Sequence, residues 1–214
     1  MSRLIAIMGE SGAGKTTSLR NLPSNETLYI DCDGKGLAWK GWRNQYNAEN
    51  KNYIKTRDVL SIQTYLQAAS EKRPHIKYVV IDTINALMVA DEMARMKEKT
   101  FDKWQDLAQC IYYIVVGAND YREDLTIILV AHTQTDMDDN GYMFTHIKTN
   151  GKKLNKICLE AYMPVVLLAK RSLANGYVFE VHSLNSSAKT PMGAFDTDEV
   201  PNDIMEVLKV LEEY

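Results

Sequence analysis

The chain has 214 residues and a net charge of −3, and is 45% hydrophobic and 25% charged, which favours one domain with a full core and excludes a protein that coats DNA through uniform positive charge, while leaving room for a local basic patch. No apolar run approaches the ~20 residues of a membrane span, and the apolar stretch near the start is too short for a secretory signal, so no membrane contact and a cytoplasmic location are expected. Cys32, Cys110 and Cys158 are widely spaced, which argues against a disulfide framework or a zinc site and for buried thiols in a reducing compartment.

In chain order, the first predicted strand covers residues 4–8. It runs into Gly9-Glu10-Ser11-Gly12-Ala13-Gly14-Lys15-Thr16, with Thr17 following. This matches G-x-x-x-x-G-K-[ST], the phosphate-binding loop. The glycines let the backbone curl so that several N–H groups converge on phosphate oxygens, and a following helix, predicted over 15–21 and stopped by Pro23, adds its N-terminal partial charge. In this pattern Lys15 reaches the β- and γ-phosphates and the Thr16 hydroxyl binds Mg²⁺, so ATP and Mg²⁺ are the expected cofactors.

A second strand, 27–30, is followed by Asp31, Cys32 and Asp33. A helix is expected over 58–71. The strand at 78–81 ends in Asp82, the placement of a carboxylate that holds Mg²⁺ beside a phosphate loop. Water activation has three candidate acids: Asp33, which is favoured, Asp31 on the same face of an extended chain, and Glu10 inside the loop. A helix is predicted over 101–117 and a strand over 125–131. His132, Thr133 and Gln134 follow at its carboxyl end, where ligands sit in an α/β sheet, so one of them is expected to sense the γ-phosphate. His75, His146 and His182 have no spacing that suggests a metal site.

Residues 133–149 contain the Asp138-Asp139-Asn140-Gly141 turn and read as a hairpin or loop. Strands over 165–169 and 177–184, joined by a short link at 170–176, are expected to be antiparallel, and a last helix spans 203–213. Strands apolar on both faces alternating with helices make the fold class α/β, a mostly parallel central sheet flanked by helices with antiparallel strands near the end, all in one domain over 1–214.

Together these segments resemble the RecA-type ATPase core. The loop GESGAGKTT, the segment LYIDCDGKGLA, the strand and helix YVVIDTINALMVADEM and the strand LTIILVAHTQTD stand in the order of that family, and the tail GKKLNKICLEAYMPVVLLAKR with YVFEVHSLNSSAKTPMGAF resembles its last helix and strand pair. The likeness covers about residues 3 to 195. More narrowly, the AHT and AKTPMG segments resemble phage-encoded AAA-type nucleotide-binding proteins, some of which are RecA-like single-strand annealing proteins.

The resemblance implies ATP hydrolysis, assembly into a homo-oligomeric ring or filament, single-stranded DNA binding, and action in phage recombination in the host cytoplasm, with a single-strand binding protein or another replication or recombination factor as a possible partner. It places the catalytic acid at Asp33, where the family usually has Glu, and the sensor at His132-Thr133-Gln134, where it usually has Asn-Gln. The polymerisation segment that precedes the core in RecA itself has no counterpart before Gly9, so an oligomer is expected to use another handle. A basic residue supplied by a neighbouring subunit is matched here by Lys189, or by Lys170 and Arg171.

The DNA loops implied by the resemblance fall at 95–104, with Lys97, Lys99 and Lys103 beside Phe101 and Trp104, and at 140–156, with Lys148, Lys152, Lys153 and Lys156 beside Tyr142 and Phe144. Cations that track phosphates beside rings that stack on bases suit single strands. Lys35, Lys40 and Arg43 with Trp39 and Trp42 form a third cluster. Alternatives to recombination are a nucleotide-switched loader or regulator of a DNA-processing machine, and a nucleotide kinase, for which no arginine-rich lid is seen.

Overall fold

The computed structural model describes residues 3–98, 102–150 and 158–214, without the side chains of 102–108 and 110. Among the described residues the strands are β1 (Arg3–Gly9), β2 (Thr27–Asp31), β3 (Tyr53–Lys55), β4 (Tyr78–Asp82), β5 (Thr126–Met137), β6 (Met143–Ile147), β7 (Val165–Ser172), β8 (Gly176–Glu180) and β9 (Glu199–Pro201). The helices are α1 (Trp42–Gln45), α2 (Val59–Glu71), α3 (Ile84–Ala94), α4 (Asp102–Gly117) and α5 (Ile204–Leu211).

The strand order is β3-β2-β4-β5-β1-β7-β8-β9, with β6 paired to β5. Strands β3 through β7 along this path are parallel, while β8, β9 and β6 pair antiparallel. The expected α/β class, parallel centre and antiparallel end are therefore present. Strand alternation divides the core. Leu4, Ala6 and Met8 of β1 join one cluster with Ile62 and Leu66 of α2, Leu87 of α3 and Ile114 of α4. Ile5 and Ile7 point the other way, toward Leu19, Tyr46 and the Val207, Leu208 and Leu211 stripe of α5. Covering both faces of a parallel sheet explains why its strands are apolar throughout.

Helix ends follow their caps. Asp58 accepts from the Ser61 amide at 2.8 Å, and Asp203 accepts from the Met205 amide at 3.0 Å, so α2 and α5 each begin one residue after the carboxylate. The helix expected over 15–21 is instead one 3₁₀ turn, Thr17–Leu19. There the Leu19 and Arg20 amides bond to Thr16 and Thr17, the Ser18 hydroxyl donates to the Lys15 carbonyl at 2.6 Å, and Pro23 prevents extension.

The strand expected over 177–184 ends at Glu180. The carboxylate of Glu180 is taken by Lys170 and by Ser186, which turns the chain back. β5 runs beyond 131 because its last five residues pair with β6 as the expected hairpin. Cys32 is buried as expected, but Cys158 is exposed with its thiol directed to Glu160 Oε2 at 3.7 Å, and the side chain of Cys110 lies outside the described residues.

Candidate functional site

β1 lies between β5 and β7, so its carboxyl end opens at the centre of the sheet, where chains diverge to either side. Gly9 ends the strand, and a Cβ there would lie 2.5 Å from the Ala169 carbonyl oxygen. Only glycine passes β7 this closely. Gly14 sits at φ +94, and a Cβ on it would lie 3.0 Å from Asn202 Oδ1 and 3.1 Å from the Tyr177 ring. The loop is thus clamped between β7 and the segment that joins β9 to α5.

Lys15 is buried, and its Nζ donates to the Gly9 and Glu10 carbonyls at 2.8 and 2.9 Å and lies 3.5 Å from His132 Nδ1. Burial pulls this ammonium below the usual lysine range, and the negative charge of Asp82 opposes that pull. The Thr16 hydroxyl donates to Asp82 Oδ2 at 2.8 Å across the gap between the loop and β4.

The same oxygen of Asp82 accepts from the Tyr29 hydroxyl at 2.6 Å. Burial pushes Asp82 above the ordinary carboxylate range, and the hydroxyls of Tyr29 and Thr16 resist the shift. Tyr29 itself, fully enclosed on β2 and beside that carboxylate, is held well above its usual pKa and stays a donor. Asp82 Oδ1 is buried and has no partner among the described residues. A carboxylate with one oxygen fixed and the other uncommitted, next to a threonine hydroxyl, suits a hard cation that takes oxygen ligands, and Thr16 and Asp82 fit Mg²⁺ on that ground. Among the described residues no group of three or more His, Cys, Asp and Glu side chains could hold a metal ion.

The three candidate acids separate by their partners. Asp31 accepts from the Gly34 amide at 2.7 Å, the Gly36 amide at 2.9 Å and the Tyr53 hydroxyl at 2.5 Å. Its work is to fold the turn after β2. Asp31→Ala is expected to lower the unfolding free energy by about 2 kcal/mol, read by denaturant titration, because the Gly34 and Gly36 amides and the partly buried Tyr53 hydroxyl lose a charged acceptor. Loss of turnover with stability unchanged would instead make Asp31 a chemical group. Glu10 is exposed and accepts from Thr133 Oγ1 at 3.3 Å. Asp33 is half-buried, with Oδ1 accepting from Thr83 at 3.1 Å and Oδ2 paired with Lys35. It lines a depression that shares Lys35, Thr83 and His132 with the main cleft.

His132 stands at the end of the parallel part of β5, and burial and the Lys15 charge lower its pKa. Thr133 is buried against Glu10, while Gln134 turns away toward Asp136 and His146. The loop, Lys15, Thr16, Lys35, Thr83 and His132 line a cleft of about 730 Å³ together with Tyr177, Pro201, Asn202 and Asp203.

Lys189 is exposed, pairs by its backbone with Val166 beside β7, and does not line this cleft. Lys170 is held by Glu180 and Glu199, and Arg171 lies 6.0 Å from the Tyr177 ring centre. Of the DNA candidates, Lys97 and Lys148 are exposed. Lys99, Lys152 and Lys153, with Phe101 and Lys156, lie outside the described residues, as do the side chains of Lys103 and Trp104. In the third cluster Trp39 and Trp42 are partly buried against the core around Tyr29, Tyr46 and Tyr53, and Arg43 covers Trp42 at 4.5 Å, so these rings serve packing.

Sequence reading passed over Tyr29, Asn85 and Asn202. Asn85, buried on α3, accepts from the His132 amide at 2.7 Å and donates to the Lys148 carbonyl at 2.7 Å. The one available signal was a polar side chain within or beside an apolar run. A family model described as an AAA domain matches residues 1–168. No curated protein matches the chain.

Proposed function

The chain belongs to the family of AAA domains, and on that premise we propose that it is a Mg²⁺-dependent ATPase whose turnover is coupled to single-stranded DNA, in recombination of the annealing kind. The observation that carries the ATPase reading is the convergence of Lys15, Thr16 and Asp82 at the carboxyl end of β1, with one Asp82 oxygen left uncommitted. Loop amides and the Lys15 ammonium hold the phosphates, and Thr16 and Asp82 hold Mg²⁺. The bound cation supplies neutralisation of charge on the β- and γ-phosphoryl oxygens. His132, neutral because burial and Lys15 depress its pKa, meets the γ-phosphate end. Asp33, kept in place by Thr83 and Lys35, orients water.

Support for coupling to DNA comes from Asn85. It ties the His132 amide to the Lys148 carbonyl, and the Lys148 amide returns to the His132 carbonyl at 2.7 Å. A shift of His132 on phosphate is thereby transmitted to the start of the lysine-rich segment 148–156. Lys97 and Lys148, with Lys99, Lys103, Lys152 and Lys153, form the proposed DNA surface. A homo-oligomer, ring or filament, would bring Lys189 to the neighbouring cleft, and a single-strand binding protein or another replication or recombination factor would share the DNA.

Occupation of both Asp33 oxygens favours a second reading, a nucleotide-switched regulator with slow hydrolysis. Steady-state ATP hydrolysis with and without single-stranded DNA separates the two. Several-fold stimulation is expected, and a rate indifferent to DNA would overturn the coupling and leave the switch.

A further inference from the structure

The turn after β2 is braced from two sides. Asp31 accepts from the Gly34 and Gly36 amides and from the Tyr53 hydroxyl. Arg57 donates to the Cys32 and Asp33 carbonyls, both at 2.8 Å. Between the two pinned glycines stands Lys35, whose side chain is exposed and lines the cleft with Lys15, Thr16 and His132. We propose that Lys35 is a catalytic residue acting within its own chain, and that its ammonium donates to the γ-phosphoryl oxygens in the transition state. The inference rests on the ATPase reading and adds the cation that completes that site, in place of one supplied by a neighbour.

Position and partners carry the assignment. Lys35, Thr83 and His132 line both the cleft and the adjoining depression, whose wall includes Asp33. Lys35 therefore stands between the phosphate loop and the acid that orients water. Its ammonium has three N–H donors, and Asp33 takes one of them. Two remain for phosphate oxygens without release of the acid. The other lysine and arginine side chains that line the cleft, among the described residues, are Lys15 and Arg20. Lys15 belongs to the loop, where it meets the Gly9 and Glu10 carbonyls. Arg20 donates to the Thr17 and Asn202 carbonyls at 3.1 and 3.0 Å and lies 3.6 Å from Asp203. Lys35 is thus the cation of this cleft that is both exposed and free of backbone duties.

In the reaction the water oxygen bonds to the γ-phosphorus, and the bond to the β,γ-bridging oxygen breaks with its electron pair leaving on ADP. One proton of the water passes through Asp33 to the released phosphate. Lys35 moves no proton. It neutralises charge on the transferring phosphoryl oxygens, and a cation presented by a braced turn does so with little reorganisation at the moment of reaction.

The test compares the wild type, Lys35→Ala and Lys35→Arg in steady-state ATP hydrolysis, in equilibrium binding of ATP with Mg²⁺, and in binding of ADP with and without aluminium fluoride, which mimics the transferring phosphoryl group. Lys35→Ala should lower kcat about 100-fold and change ATP affinity less than about threefold. Aluminium fluoride should tighten ADP binding to the wild type, and Lys35→Ala should lose at least about tenfold of that gain. Lys35→Arg should keep most of the turnover, and because the side chain is exposed all three proteins should melt alike. A mixture of Lys35→Ala with Lys15→Met should turn over no faster than the two measured apart, since each lacks a group that its own cleft needs. Hydrolysis by Lys35→Ala as fast as the wild type or faster, an undiminished gain from aluminium fluoride, or turnover restored in the mixture would overturn the assignment and leave the ATPase reading standing. A wild type that hydrolyses no ATP would remove that reading and the inference with it.

Discussion

Lys15→Met is expected to reduce ATP hydrolysis about 100-fold or more and to weaken ATP binding, with the melting temperature nearly unchanged. Methionine keeps most of the buried stem and removes the charge. In the protein the ammonium donates to the Gly9 and Glu10 carbonyls and lies against His132. Two acceptors on the loop lose a donor, which costs about 1 kcal/mol each at most where water replaces it. The lost attraction for phosphate is much larger, because a buried cation acts in a medium that screens it poorly. Phosphate release, equilibrium binding and thermal melting on the same preparations check this. A variant that melts far below the wild type while binding ATP normally would make Lys15 a structural residue.

Asp82→Asn carries the second large effect, and it separates activity from stability. Hydrolysis in Mg²⁺ should fall about 100-fold, because the carboxylate that fits the cation is gone. Stability should change by no more than about 1–2 kcal/mol. Asparagine Oδ1 still accepts from Thr16 and Tyr29, and relief of the buried charge is offset by an Nδ2 donor standing where Asp82 Oδ1 has no partner among the described residues. In chelator the ATP affinities of wild type and variant should converge, since the difference between them lies in the cation. Titrations in Mg²⁺ and in chelator, alongside denaturant unfolding, test both halves. A destabilised variant that responds to Mg²⁺ as the wild type does would place Asp82 in the fold alone.

The same contrast explains how much of the site was legible in the sequence. The phosphate loop and the strand ending at Asp82 are local patterns, and glycine spacing or an apolar run carries their meaning directly. The parallel strands were legible because burial on both faces leaves them apolar. β3 and β9 have three residues each, too few to show a period. Asp31 and Asp33 could not be separated by alternation, which puts both on one face. Gly34 and Gly36, whose amides claim Asp31, decide between them, and that claim depends on how the turn closes. Tyr29 reaches Asp82 from the next strand, and Asn85 joins His132 to Lys148 from a helix. Such contacts belong to tertiary packing, which a single sequence does not display. The shrinkage of the helix after the loop to one turn has the same origin, since Ser18 bonds back to the backbone and Pro23 stops what remains.

Equilibrium titration of the wild-type chain and Lys15→Met with ATP, each in Mg²⁺ and in chelator, tests the central claim most directly. The geometry predicts saturable binding by the wild type, strengthened by Mg²⁺ and largely lost in the variant. Absence of saturable binding, or binding indifferent to both Mg²⁺ and Lys15, would contradict it.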